Sequence, residues 1–199
     1  PSEIKALCNA CDKLELINSS NEFVTPGLGI VNKIGALSDE EFNDLFGSVI
    51  LHQIVSDEII KNTSITVPLI DSTVYDRTEN CYTDKEEAIT KRFVHKTELR
   101  ELSKAIYENE LVQGDELVAS DISLVYSLYV KDDDTKIINA CKSYILRYTI
   151  SKTVIEEKLI YCPIEIIGIE SGDDFSRTNI DDGTTYRFVK VQEICNLFD

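Results

Sequence analysis

The sequence has no tryptophan and only two histidines, His52 and His95, in 199 residues. That scarcity narrows the means of acid–base chemistry near neutral pH. No G-x-G-x-x-G turn, no Walker-type glycine loop ending in Lys-Ser/Thr and no G-x-S-x-G elbow occurs. The common nucleotide-cradling and serine-nucleophile motifs are therefore excluded. Cys8 and Cys11 form a C-x-x-C pair, but no second pair and no H-x-x-x-H accompanies them, which leaves a zinc site two ligands short. No apolar run approaches the ~18 residues that span a bilayer; the longest, "SVILHQIV", is interrupted by His52 and Gln53. The first residues lack the basic-then-apolar layout of a secretory signal.

Positive charge is also scarce. Lys and Arg number 20 against 36 Asp and Glu, for a formal net charge of −16. Affinity for nucleic acid depends on basic side chains displacing counterions, and anionic membrane surfaces attract cations, so neither partner is expected. A charge of this size favours solubility through self-repulsion. It also suits docking on a basic partner, or imitation of a nucleic acid.

What is present describes a folded protein. Hydrophobic residues make up 43%, too many for a disordered chain, and the length suffices for a core without staples. Six cysteines, mostly in apolar surroundings, suit a reducing compartment better than a disulfide framework. The expected location is cytoplasmic, meaning the host cytoplasm and the virion if the protein is viral.

Residues 2–17 read as an amphipathic helix with Ile4, Leu7, Cys8, Cys11 and Leu14 on one face, Ser2 as its cap and Glu3 favouring its positive end. On that spacing both cysteines belong to a buried stripe and bind no metal. Residues 18–37 read as a long loop anchored by Phe23, Leu28, Ile30 and Val31. Ser38 and Glu41 form a capping box for a helix running to Asn62, apolar on more than one face. A short edge strand at 64–70, a polar loop at 71–84 and a second long helix at 84–109 follow. On that helix the basic cluster Lys91, Arg92, His95 and Lys96 is balanced by Glu87, Glu98 and Glu101.

Residues 115–131 fit either a strand or a helix, and Asp121 as a cap favours the helix. A further helix is predicted over 134–150. The stretches 158–170 and 184–194 are β-branched and aromatic and read as strands around an acidic loop. No internal repeat emerges. The expected class is α+β, a single domain with a helical body over 1–150 and a small, antiparallel β-rich part over 151–199.

Cysteines and acidic residues are plentiful, which weakens any one of them as a catalytic candidate, and no cofactor is implied. The expected function is non-enzymatic: a structural or assembly subunit meeting other protein subunits in a homo- or hetero-oligomer. A viral or phage head–tail connector, neck or tail adaptor would fit. The alternatives are an acidic, nucleic-acid-mimicking inhibitor of a defence enzyme, and an enzyme with a scattered site. Tyr75 and Tyr82, in the 71–84 loop, are the expected partner contacts, since tyrosine supplies large contact area at modest entropic cost.

Overall fold

A computed structural model describes residues 2–24, 27–62, 81–83, 90–117, 121–157, 159, 176–178 and 185–197. The chain opens with helix α1 (Ser2–Leu14) and a reverse turn closed by an antiparallel bridge between Ile17 and Phe23. Helices α2 (Gly29–Gly35), α3 (Asp39–Leu45) and α4 (Val49–Lys61) follow, then a hairpin of β1 (Cys81–Thr83) and β2 (Thr90–Arg92). Next come α5 (Lys96–Glu108), the hairpin β3 (Val112–Gln113) and β4 (Glu116–Leu117), and helices α6 (Ile122–Leu128), α7 (Thr135–Ala140) and α8 (Tyr144–Glu156). A hairpin of β5 (Ser176–Thr178) and β6 (Thr185–Arg187) leads to α9 (Val191–Cys195). The α+β class holds: mostly helix, with short antiparallel pairs.

Among the described residues the order of elements is the same twice. Long helix, turn, two short helices, long helix and hairpin make one unit, and α5 to β6 repeat α1 to β2. The expectation of no internal repeat is overturned by the bonds that hold each unit. Glu3 receives hydrogen bonds from residues 45, 46 and 47 positions ahead, and so does Glu98. A buried serine accepts from a strand-end amide 38 positions ahead in both units. The second set lies 95 positions after the first: Glu3 to Glu98, Ser48 to Ser143, Ser56 to Ser151, Val94 to Val189. Even the strained helix ends match. Glu15 and Glu110 both adopt φ 53°, and the next residue closes back on the helix, Leu16 N–H to Cys11 O and Leu111 N–H to Ile106 O.

The repeat explains where the sequence reading placed boundaries wrongly. The helix beginning at Ser38 does have its capping box, but it breaks at Phe46–Ser48, where Ser48 caps a new helix. The helix expected over 134–150 breaks in the same way at Cys141–Ser143. In both cases the apolar pattern runs through the break and hides it. The loop at 18–37 contains α2, because Ile30, Val31 and Ile34 are buried together. Of the stretch read as a helix over 84–109, residues 84–89 lie outside the described residues, 90–92 form β2 and the helix runs from Lys96; Asp121 caps a helix as favoured. Of the two C-terminal strand stretches, 185–187 is β6 but 191–195 turns helical. The stretches 64–70 and 158–170, apart from Leu159, lie outside the described residues.

The cores of the units run together. Leu14, Leu16, Ile30, Ile34, Phe42 and Leu51 of the first meet Leu99, Leu102, Ile106, Leu124 and Ile145 of the second in one apolar cluster. Within each unit the first helix packs on the third and fourth: α1 on α3 and α4, α5 on α7 and α8. Between units, α2 packs on α5 more extensively than any other pair of elements. Gly35 makes this possible. A Cβ there would collide with the Ser103 carbonyl and come within 2.5 Å of Tyr107 Cβ.

Gly35→Ala should therefore cost about 1–3 kcal/mol, the usual penalty for overpacking. Gly47→Ala, where the nearest atom to an added Cβ is Asp44 O at 3.4 Å, should change stability by less than about 1 kcal/mol. Denaturant midpoints of the two variants check the contrast, and equal losses would place the close approach elsewhere.

Candidate functional site: the helix seats and the junction between units

A helix that starts immediately after a break exposes its first backbone N–H groups, which need partners. In the first unit Glu3 supplies them from another helix. Its Oε1 accepts from Ser48 Oγ–H at 2.7 Å and Ile50 N–H at 3.1 Å, and its Oε2 accepts from Val49 N–H at 3.2 Å. Ser48 Oγ in turn accepts from Leu51 N–H at 3.1 Å. The second unit repeats this atom for atom. Glu98 Oε1 accepts from Ser143 Oγ–H at 2.7 Å and Ile145 N–H at 3.0 Å, Oε2 accepts from Tyr144 N–H at 2.8 Å, and Ser143 Oγ accepts from Leu146 N–H at 3.2 Å. Each carboxylate also faces the positive end of the helix dipole. Glu3 thus serves α4 rather than its own helix, and Glu98 serves α8 instead of pairing with the nearby basic residues.

The two carboxyls titrate in opposite directions. At Glu98 burial dominates and lifts the value to about 7, against the pull of Ile145, Ser143 and Tyr144. At Glu3 partial burial pushes upward too, but the donors at Ile50, Ser48 and Val49 together outweigh it and hold the carboxyl below its usual range.

Each long helix also pins the strand that returns from its hairpin. Ser56 Oγ accepts from Val94 N–H at 2.9 Å, and Ser151 Oγ from Val189 N–H at 2.8 Å. His52 Nε2 lies 2.6 Å from Val94 O beside the ring of Phe93, and burial keeps this imidazole below its usual pKa. In the second unit Arg147 takes the place of His52 and lies over Phe188, its Cζ 5.3 Å from the ring centre.

The junction is anchored by Arg100. Its Nη2 donates to Leu37 O at 2.7 Å, its Nη1 to Ile34 O at 3.3 Å and its Nε to Asp39 Oδ1 at 2.9 Å. It therefore closes the C-terminus of α2 and the start of α3 at once. Lys104 adds a 3.0 Å ion pair to Asp39, the Arg100 guanidinium stacks over Phe42, and Leu28 N–H donates to Asp115 O at 3.1 Å. Planar, forked donation of this kind is a property of arginine that lysine lacks.

Among the described residues nothing comparable packs on the outer side of unit one. Ile4 is 68% exposed, whereas its counterpart Leu99 is 0% exposed. Cys8 is exposed where Ser103 is buried, and Ile50 is exposed where Ile145 is buried. The expected burial of Cys8 and Cys11 is thereby corrected: Cys8 is exposed and Cys11 only half-buried. The stripe is real, but what covers it in α5 is another unit. Burial and the neighbouring Cys8 raise the Cys11 thiol, and burial pushes Cys141 up to about 12, so neither is poised as a thiolate.

Tyr75 lies outside the described residues, and Tyr82 sits in β1 opposite Lys91. Among the described residues no group of three His, Cys, Asp or Glu side chains is placed to hold a metal ion, and no helix is long and apolar enough to cross a membrane. No protein-family model, curated protein or solved structure matches the chain.

The residues that sequence reasoning missed were marked by short, widely spaced similarities. "SEI" at 2–4 answers "TEL" at 97–99, "SVIL" at 48–51 answers "SYIL" at 143–146, and "RFV" occurs at both 92–94 and 187–189. Comparison of the sequence with itself at that one spacing would have found Glu98 and Ser143.

Glu98→Ala should orphan three donors, two of them buried, and cost more than about 3 kcal/mol, whereas Glu3→Ala should cost about 1 kcal/mol, the loss of an ordinary cap. Because the folded state raises the Glu98 value from its usual 4.5 to about 7, its contribution is complete below about 4.5 and fades as pH rises through about 7. Denaturant midpoints measured across that window should fall with rising pH in the wild type and flatten in Glu98→Gln. A wild-type slope that survives the substitution would assign it to another group.

Proposed function

We propose that the protein is a non-enzymatic assembly subunit, a scaffold of stacked like units that meets other protein chains through its open unit faces. The observation that carries this reading is the contrast between Ile4 and Leu99. One helix type presents the same apolar position twice, covered by a neighbouring unit in one case and open in the other. Repeat architectures bury successive faces against neighbours in this way and offer what remains to partners. The most deeply set polar groups support the reading too. Glu98, Ser56, Ser143 and Ser151 each hold a helix end or a strand end.

The acidic surface fits a role in orientation rather than in holding. Long-range charge guides approach, while apolar burial retains the partner.

The test is sedimentation of the purified protein, alone and with proteins from its source, at low and high salt. A stoichiometric protein complex should persist where the Debye length has dropped from ~10 Å to ~3 Å, because apolar burial is not screened. A protein that stays a strict monomer under all these conditions and turns over a substrate would refute the assembly reading.

A further inference from the structure

We propose that the connection between the two units, Phe93 to Thr97, is a latch that opens on acidification, held closed by the uncharged rings of His52 and His95.

The only two histidines of the chain meet at this connection, one from α4 and one from the connection itself. α4 grips Val94 twice. Ser56 Oγ accepts from its N–H at 2.9 Å, and His52 Nε2 donates to its carbonyl at 2.6 Å. The His52 ring stands edge-on to Phe46, with centres 5.9 Å apart, and lies 5.0 Å from the ring of Phe93, a place where added charge is costly. One residue after Val94, His95 is the N-cap of α5, and its Nδ1 accepts from Thr97 N–H at 3.2 Å. A ring nitrogen can accept in this way only while it carries no hydrogen of its own.

Protons act on both rings in one direction. A proton on His95 fills Nδ1, strips Thr97 N–H of its acceptor and sets a positive charge on the positive end of the α5 dipole. Glu98, the acidic residue of that first turn, does not compensate, because its carboxylate is seated on α8. A proton on His52 charges a ring that burial holds below its usual 6.5. Among the described residues the charged groups acting on it are Lys96 and His95, which both oppose the proton, and no carboxylate of α1, α3 or α4 is among them. Lys96 is held close, its Nζ 5.9 Å from the ring centre of Phe42, which stacks on Phe46. His52 therefore contributes fully above about 6.5, and its contribution is lost as pH falls below that value.

The second unit serves as an internal reference. Arg147 stands at the place of His52, Lys190 at the place of His95 and Val191 at the place of Lys96. Arginine and lysine are cations throughout the range in which imidazole titrates. Neither place depends there on an acceptor nitrogen: Arg147 lies over Phe188, and Lys190 makes no side-chain cap bond. Titratable rings are thus confined to the connection that joins the units. Opening it uncovers Val94, which is 3% exposed when closed, and uncaps the helix that carries both Glu98 and Arg100. Once the strand end has lifted, both rings are in water and further acid has no more effect. The change is a local opening, distinct from the global pH dependence of opposite sign that Glu98 sets.

The experiment is backbone amide hydrogen exchange of the full chain by NMR, read as protection factors from about pH 7.5 to about pH 5.5. Protection at Val94 and Thr97 should fall at least about tenfold over that range. Protection at Val189, the matching amide on Ser151, should stay constant. His95→Asn keeps a capping acceptor that does not titrate, and His52→Gln keeps a donor for Val94; with both changes the two protection factors should be flat with pH. Ring shifts of His52 and His95 in the wild type should titrate in step with the two amides, a readout that does not depend on the double variant folding. Protection at Val94 and Thr97 that ignores pH, or that falls together with Val189, would overturn the latch. So would a fall that persists in the folded double variant, or ring shifts that titrate out of step with the amides.

Discussion

Each unit depends on a carboxylate from one helix seated on the bare N-terminus of another. The sequence breaks a long apolar stretch at Gly47-Ser48 and again at Lys142-Ser143, and each break creates a helix start whose amides must be satisfied. A serine alone satisfies one of them. The glutamate satisfies two more and accepts the serine hydroxyl's hydrogen bond as well, so the helix start is complete only when α1 or α5 lies in place. A local capping problem is thereby converted into a tertiary restraint. It fixes the first helix against the fourth, and the apolar faces of both then enclose the core.

That restraint reaches beyond its own unit through α5. On one side this helix holds Glu98 against α8, and on the other it turns Arg100, Ser103 and Lys104 toward α2 and α3. Glu98 and Arg100 are two residues apart, so they leave the helix in different directions. The seat that organises the second unit also sets the junction with the first. The same geometry accounts for the divergence of the two glutamates. Glu98 is shut in because α5 is covered on its outer side, and burial raises its pKa to about 7. Glu3 remains partly open, no described residue covering the outer side of α1, and there the hydrogen bonds prevail over desolvation. One motif has two titration behaviours, and the depth of burial separates them.

How much of this could be read from sequence follows from how local each cause is. The capping box at Ser38 and Glu41 and the cap at Asp121 are contained within four residues, and both were legible. The apolar stripe of α1 was legible as a stripe. Its burial was not, since the cover over Cys8 would come from a different unit. The breaks at residues 46–48 and 141–143 were obscured because Phe46, Leu51 and Val55, like Cys141, Ile145 and Leu146, keep the helical spacing of apolar residues across a change of axis. Glu98 looked like a surface charge on an amphipathic helix. A glutamate of that kind and a buried one have the same local context, and only the matching serine 45 residues ahead distinguishes them. The junction was the least legible part, because Gly35 carries no signal until the helix it admits is known.

The net charge of −16 constrains what such a junction can join. Two acidic chains repel at long range, so their approach is opposed until short-range contacts form. The existing junction shows what those contacts are: buried leucine and isoleucine, and a cation from α5 set against an aspartate and the carbonyls at the end of α2. Salt weakens the long-range repulsion far more than it weakens a partly buried guanidinium bonded to carbonyls. Copies of this chain would therefore meet more readily as ionic strength rises, whereas a basic partner drawn by the acidic surface would be met more slowly. The sign of the salt dependence separates the two kinds of assembly, because attraction and repulsion are screened alike and the apolar contact is not screened at all.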